Sequence, residues 1–233
     1  MDRAIRTTSA GWVSAIGHAL AVDGLDIAAI FRELGLDAEV LTDPDARISQ
    51  DSMTRVWQLA VERSGNPAIG LNMARVVRPG HFSVVGYSLM SSRTLREGFG
   101  RVVRYQRLIG EAADMVMQIE PDTCRLQFAI HGDRLPAARQ SVEAAMAYAL
   151  AFCRWMTAEP IVPLKATFAR PEPQDTTPYR ALFDCPLEFD APSYSLLMSR
   201  QLMEAPLATA NDSLAKLHDR FAGDFLARFE SDP

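Results

Sequence analysis

Apolar side chains recur every three to four residues through the first third of the chain, the spacing of one face of a helix. In SAGWVSAIGHALAVDG, Trp12, Val13, Ile16 and Leu20 share a face and Gly24 stops the run. IAAIFRELG is a short helix closed by Gly35. ISQDSMTRVWQLAVERSGNP carries Met53, Val56, Trp57 and Ala60 on one face, with Ser49 or Asp51 as cap and Gly65 as stop. PDAR, residues 44–47, reads as the loop before it, and PAIGLNMARVV as a further short helix opened by Pro67.

After residue 110 the period changes to two. ADMVMQIEP and DTCRLQFAIHG alternate apolar and polar positions on either side of Pro121-Asp122, which predicts a hairpin with one buried face. RQSVEAAMAYALAFCRWMTAE is a long helix over about 138–158. Val142, Met146, Ala149, Cys153 and Met156 form one stripe, and Tyr148, Phe152 and Trp155 a second. A helix apolar on most sides is central or lies in an interface. LKATFARPEP, PLEFD and SYSLLMS supply three further strands, with a helix at TTPYRALF, and PLATANDSLAKLHDRFAGDFLARF is a final amphipathic helix. The fold class is therefore α+β. A helical N-terminal section precedes a small, mostly antiparallel sheet of about five strands, covered by a long helix. The expected divisions are 1–110, 111–200, and a C-terminal helix or linker over 201–233.

Composition narrows the function. The chain has 233 residues, 48% of them hydrophobic, and a net charge of -5. An acidic chain lacks the electrostatic footprint of a stand-alone nucleic-acid module. No apolar run reaches the roughly 20 residues of a membrane span. The N-terminus has a short apolar patch interrupted by His18 and no cleavage pattern, so a cytoplasmic protein is expected. Cys124, Cys153 and Cys185 are odd in number and widely spaced, which predicts reduced, packed thiols.

Catalytic and metal motifs are missing from the sequence. Gly98-Phe-Gly100 lacks the third glycine of a dinucleotide loop and sits within a helical pattern. His18, His81, His131 and His218 are scattered without a second ligand at metal spacing. No catalytic residue, metal or cofactor is assigned, and the chain is read as not an enzyme.

The segment VRPGHFSVVGYSLMSSRTLREGFGRVVRYQRLIG leaves more open. As a helix over 94–108, it puts Leu95, Phe99 and Val102 on a core face. Arg96, Arg104 and Arg107 gather opposite, with Arg93 and Arg101 near them. A solvated face is the plainest reading, an inter-domain or anion-contacting surface the next, and a DNA-reading helix the third. Tyr105 lies between the two faces.

Three pieces follow one another in order: GNPAIGL, GYSLMSSRTLREG, and the stretch FARPEPQDTTPYRALFDCPLEFD. With GLDAEVLTDPDARIS before them, they make residues 20–200 resemble the N-terminal arabinose-binding-type effector domain of AraC/XylS transcription regulators. His81, Phe82 and Ser83 depart from the family's usual pattern, and arabinose is not carried over. The resemblance implies effector sensing and dimerisation in a bacterial regulator. It also implies DNA binding through a C-terminal helix-turn-helix domain outside this chain. A stand-alone binding or dimerisation module is the alternative. Candidate groups for an unknown small-molecule effector are Phe82, Tyr87, Arg101, Arg104, Tyr105, Tyr148 and Phe152. Leu207, Leu214, Leu217, Phe221 and Phe225 form the candidate seam of a homodimer or inter-domain contact, with packing on their own domain as the plainer role.

Overall fold

The computed structural model describes residues 5–231. Met1–Ala4, which open the segment weighed as a leader, and Asp232–Pro233, the end of the C-terminal region, lie outside them. The order of elements is β1 (Thr7–Ser9), α1 (Ala10–Ala21), α2 (Ile27–Glu33), β2 (Arg47–Ser49), α3 (Gln50–Ser64), α4 (Ser83–Met90) and α5 (Leu95–Ile109). Then come β3 (Ala113–Ile119), β4 (Thr123–Ile130), α6 (Arg139–Thr157), β5 (Lys165–Thr167), α7 (Thr177–Phe183), β6 (Leu187–Glu188), β7 (Tyr194–Ser199), α8 (Arg200–Glu204) and α9 (Asp212–Ser231). The α+β class expected from the periodicities is the one observed.

The sheet runs β3-β4-β7-β5-β6, antiparallel throughout except for β5 with β6. The 3₁₀ turn at Ile69–Arg75 packs on α6, and one continuous core unites α1, α3, α5, the sheet and α6. The predicted stripe of α6 is buried, Tyr148 and Phe152 with it, whereas Trp155 is exposed.

Two local features differ from the periodicity reading. Residues 7–9 and 47–49 pair as a short antiparallel ribbon, Thr8 opposite Ile48, at positions where the periodicities predict no strand. Three-residue strands are too short to show a period of two, and only the long-range pairing makes them. Residues 69–75 form 3₁₀ turns rather than an α-helix. There Gly70 lies against the backbone of α6, and a Cβ at this position would stand 2.6 Å from the Gln140 carbonyl oxygen. A Gly70→Ala substitution should therefore push α6 away and lower the midpoint of urea unfolding. An unchanged midpoint would show that the two backbones are not held in contact.

The motifs quoted above have physical roles. In GNPAIGL, Gly65 closes α3 at φ 65°, the left-handed conformation that glycine adopts without steric cost. The side chain of Asn66 accepts from the Ala68 N–H at 2.9 Å, and the Pro67 carbonyl accepts from Gln140 Nε2 at 3.0 Å. In the third motif, Arg170 and Tyr179 converge on Glu143, a carboxylate with no solvent exposure. Arg170 Nη1 donates to Glu143 Oε1 and Tyr179 Oη donates to Glu143 Oε2, both at 2.9 Å. Burial pushes the Glu143 carboxyl above its ordinary range, while the bonds from Arg170 and Tyr179 pull the other way. Cys124 and Cys153 are buried free thiols and Cys185 is half-buried, as packed reduced cysteines should be.

Candidate functional site

A cavity of about 100 Å³ lies where the N-terminal helices meet the sheet and α6. Each wall follows from a helical or strand repeat. From α6 come Ser141, Ala145, Ala149 and Phe152, at i, i+4, i+8 and i+11 on one face. The two alanines leave room that a larger side chain at either position would fill. From α5 come Phe99, Val102, Gln106 and Ile109, again one helical face. Trp12 and Ile16 of α1, Gln50, Met53 and Trp57 of α3, and Phe82 and Leu89 close the N-terminal side. Met115 and Phe128 belong to the hairpin wall, and Asp114, whose side chain is half exposed, marks where the lining reaches the surface.

Six aromatic rings and few polar groups make up this lining. Gln106 is committed to the strand beside it, since its Oε1 accepts from the Met115 N–H at 2.6 Å. Gln50, 3% exposed, has a side-chain Nε2 without a hydrogen-bond partner among the described residues. Asp114 is the one ionisable side chain in the lining, and its carboxylate stands 3.5 Å from His131 Nε2. Such an enclosure, mostly apolar with a few polar groups, is the usual make-up of a small-molecule site.

Of the effector candidates, Phe82 and Phe152 line the cavity. Tyr148 stands behind the wall, its ring 5.0 Å from Trp12 and 4.8 Å from Phe82. Its hydroxyl donates to the Arg78 carbonyl at 2.7 Å and accepts from the Arg78 N–H at 3.0 Å. With its single proton thus used, the hydroxyl meets His81 Nδ1, 3.2 Å away, as an acceptor. The tautomer protonated at Nδ1 is the one that satisfies this trio. His81 is buried, and its pKa is lowered to about 4, first by burial and then by His18 and Arg78. The unfolded chain takes up this proton near pH 6.5, so between about 6.5 and 4 the unfolded state binds more protons. Stability should fall as the pH drops through that window and be fully retained above it. His81→Asn should flatten that part of a plot of unfolding free energy against pH. An unchanged slope would assign the acid sensitivity elsewhere.

Tyr87 of α4 and Arg101, Arg104 and Tyr105 of α5 are not part of the cavity lining, and Tyr87, Arg101 and Tyr105 meet α9. Arg101 Nε donates to both carboxylate oxygens of Asp219 at 3.1 Å, and its Nη1 to Ser92 Oγ at 2.6 Å. Tyr105, 1% exposed, donates its hydroxyl proton to the Asp219 carbonyl at 3.1 Å. The Arg104 guanidinium sits 5.2 Å from the centre of the Tyr105 ring, and Tyr87 lies 6.1 Å from the ring of His218. Further along, the Arg47 guanidinium covers the Phe229 ring at 4.5 Å while also donating to the last carbonyls of α5. The arginine-bearing side of α5 thus meets a helix of its own chain through Arg101, while Arg104 and Arg107 keep exposed side chains.

The five seam candidates divide. Leu207 is buried, with its N–H bonded at 2.8 Å to the carbonyl of Arg93, just ahead of α5. Phe225 is half-buried against the core. Leu214, Leu217 and Phe221 are 45%, 51% and 54% exposed, along one side of α9.

Periodicity alone missed Gln50, Trp12 and Trp57 as lining groups, because a core position and a cavity wall share the same spacing. Ser141, Ala145 and Ala149 fall on one face of α6, but Ala144, Ala147 and Ala151 make its other faces small as well, so side-chain size along the helix did not mark the cavity wall.

The fold is an α+β domain with an apolar cavity between its helices and its sheet. The family model described as "Arabinose-binding domain of AraC transcription regulator, N-term" matches residues 24–207. The chain belongs to that family. The "Ornithine utilization regulator" of Pseudomonas aeruginosa is 25% identical over 210 residues, covering 89% of this chain and 61% of the relative. The crystal structure of the transcriptional regulator CdpR from Pseudomonas aeruginosa aligns with a TM-score of 0.61 at 16% identity, over 82% of this chain and 59% of that one. That likeness is one of fold. The chain spans about three fifths of the length of each. Among the described residues no helix is long and apolar enough to cross a membrane.

Proposed function

We propose that this chain is the effector-sensing part of a bacterial transcription regulator. The cavity takes a small molecule, and α9 passes its state to a C-terminal helix-turn-helix domain outside these 233 residues. The observation that carries the proposal is the double duty of α5. Phe99, Val102 and Gln106 line the cavity, while Arg101 and Tyr105, about 100° round the same helix, hold Asp219 of α9. A ligand with different affinities for two positions of α5 would shift their populations, and α9 would follow.

The test is a promoter reporter driven by the full-length regulator carrying Ala145→Leu, which fills the cavity from α6. Induction should be lost while promoter binding in a gel-shift assay persists. Induction at the wild-type level would end the reading.

Dimerisation belongs to the same proposal, with the exposed Leu214, Leu217 and Phe221 as the seam. Leu217→Arg with Phe221→Arg should convert a sedimenting dimer into a monomer without loss of helical signal. A wild-type monomer, or a dimer indifferent to both charges, would remove α9 as the seam.

A further inference from the structure

We propose that the effector is a compact, uncharged, largely apolar molecule, and that it carries one hydrogen-bond acceptor, which meets Gln50. This rests on the reading of the cavity as the effector site and names the class of its occupant.

Three observations converge. The cavity holds about 100 Å³, below the roughly 150 Å³ apolar cavity that admits benzene, so an occupant of about one ring displaces the walls slightly. Its lining is dominated by Trp12, Trp57, Phe82, Phe99, Phe128 and Phe152. Rings on this scale favour apolar or aromatic surface, and they leave a polyol's hydroxyls unpaired at a cost. Finally, Gln50 is 3% exposed and belongs to the cavity lining, and its buried side-chain Nε2 has no hydrogen-bond partner among the described residues. A buried amide N–H seeks an acceptor oxygen. No cationic side chain lines the cavity to hold a carboxylate, and the carboxylate of Asp114 is already beside His131. A sugar such as arabinose and a zwitterion such as ornithine therefore both mismatch the lining. A cyclic ketone, a lactone or a small aromatic carbonyl compound matches it.

Cyclohexanone and methylenecyclohexane have nearly the same shape and differ in whether an acceptor oxygen is present. Thermal unfolding of the 233-residue chain at graded concentrations of each gives their dissociation constants. The ketone should bind about three- to tenfold more tightly. Gln50→Leu should erase that ratio while keeping affinity for the hydrocarbon, and Ala145→Leu should abolish both. Equal binding of the pair by the wild type, or a ratio that survives Gln50→Leu, overturns the proposal. If L-arabinose or L-ornithine binds instead, and Ala145→Leu abolishes it, the ligand class is wrong and the cavity remains the effector site. If no probe binds, the ligand class is equally wrong, and the reporter experiment with Ala145→Leu decides the fate of the cavity separately.

Discussion

Replacing Arg170 by alanine is expected to destabilise the chain by about 3–5 kcal/mol, because it strips a buried carboxylate of its cation. Glu143 has no solvent exposure, and its two oxygens are held by Arg170 and Tyr179. Loss of Arg170 leaves one oxygen without a charged partner in a place water does not reach. In thermal terms the fall is roughly 10 °C for a domain of this length. Adding Glu143→Leu to Arg170→Ala should restore much of the loss, since a buried pair replaced by apolar groups is often close to neutral. Urea unfolding of the two single variants and the double variant supplies the coupling energy. A single variant within 1 kcal/mol of the wild type would mean that Glu143 is satisfied without Arg170. This network ties α6 to the loop before α7, so it also fixes the helix that supplies one cavity wall.

The second large effect concerns α9. Asp219→Ala removes the carboxylate that accepts from Arg101 Nε, a charge-assisted contact expected to contribute about 1.5–3 kcal/mol. Amide hydrogen exchange in 212–231 should then speed by about ten- to a hundredfold, while α5 and α3 keep their protection. In the full-length regulator the same substitution should weaken the response to effector more than it weakens promoter binding. Uniform acceleration throughout the chain would instead make Asp219 part of the global fold. Exchange rates in α9 equal to those of the wild type would place its anchorage in the contacts of Ala222, Phe229 and the 206–211 segment.

Most of the fold was legible because long elements carry long periods. The hairpin β3–β4 spans fifteen residues of alternation with a single turn, and α6 shows its stripe over five turns. The core face of α5 was legible too, with Leu95, Phe99 and Val102 all buried. What the sequence concealed was pairing at a distance. Nothing local tells Thr8 that it lies opposite Ile48, or Arg101 that its carboxylate is 118 residues away. For the same reason the candidates read from one stretch of chain separate in space. Phe82 and Phe152 face the cavity, whereas Arg101 and Tyr105 face α9. Gln50 escaped notice because a polar residue at the first position of a helix has ordinary uses, and only the enclosure around it gives it another.

The strap between α8 and α9 has a practical consequence for anyone preparing this protein. Thr209 Oγ1 donates to the Met90 carbonyl at 2.7 Å, the Asn211 N–H to the Ser91 carbonyl at 3.0 Å, and Arg93 grips Asp212 at 2.8 Å. All of this, and the helix it leads into, lies beyond residue 207, where the family match stops. A gene trimmed to that boundary would encode a product with Tyr105 and the flank of α5 laid open to solvent, and it should collect in inclusion bodies. A gene running through residue 231 should yield protein that stays in the supernatant.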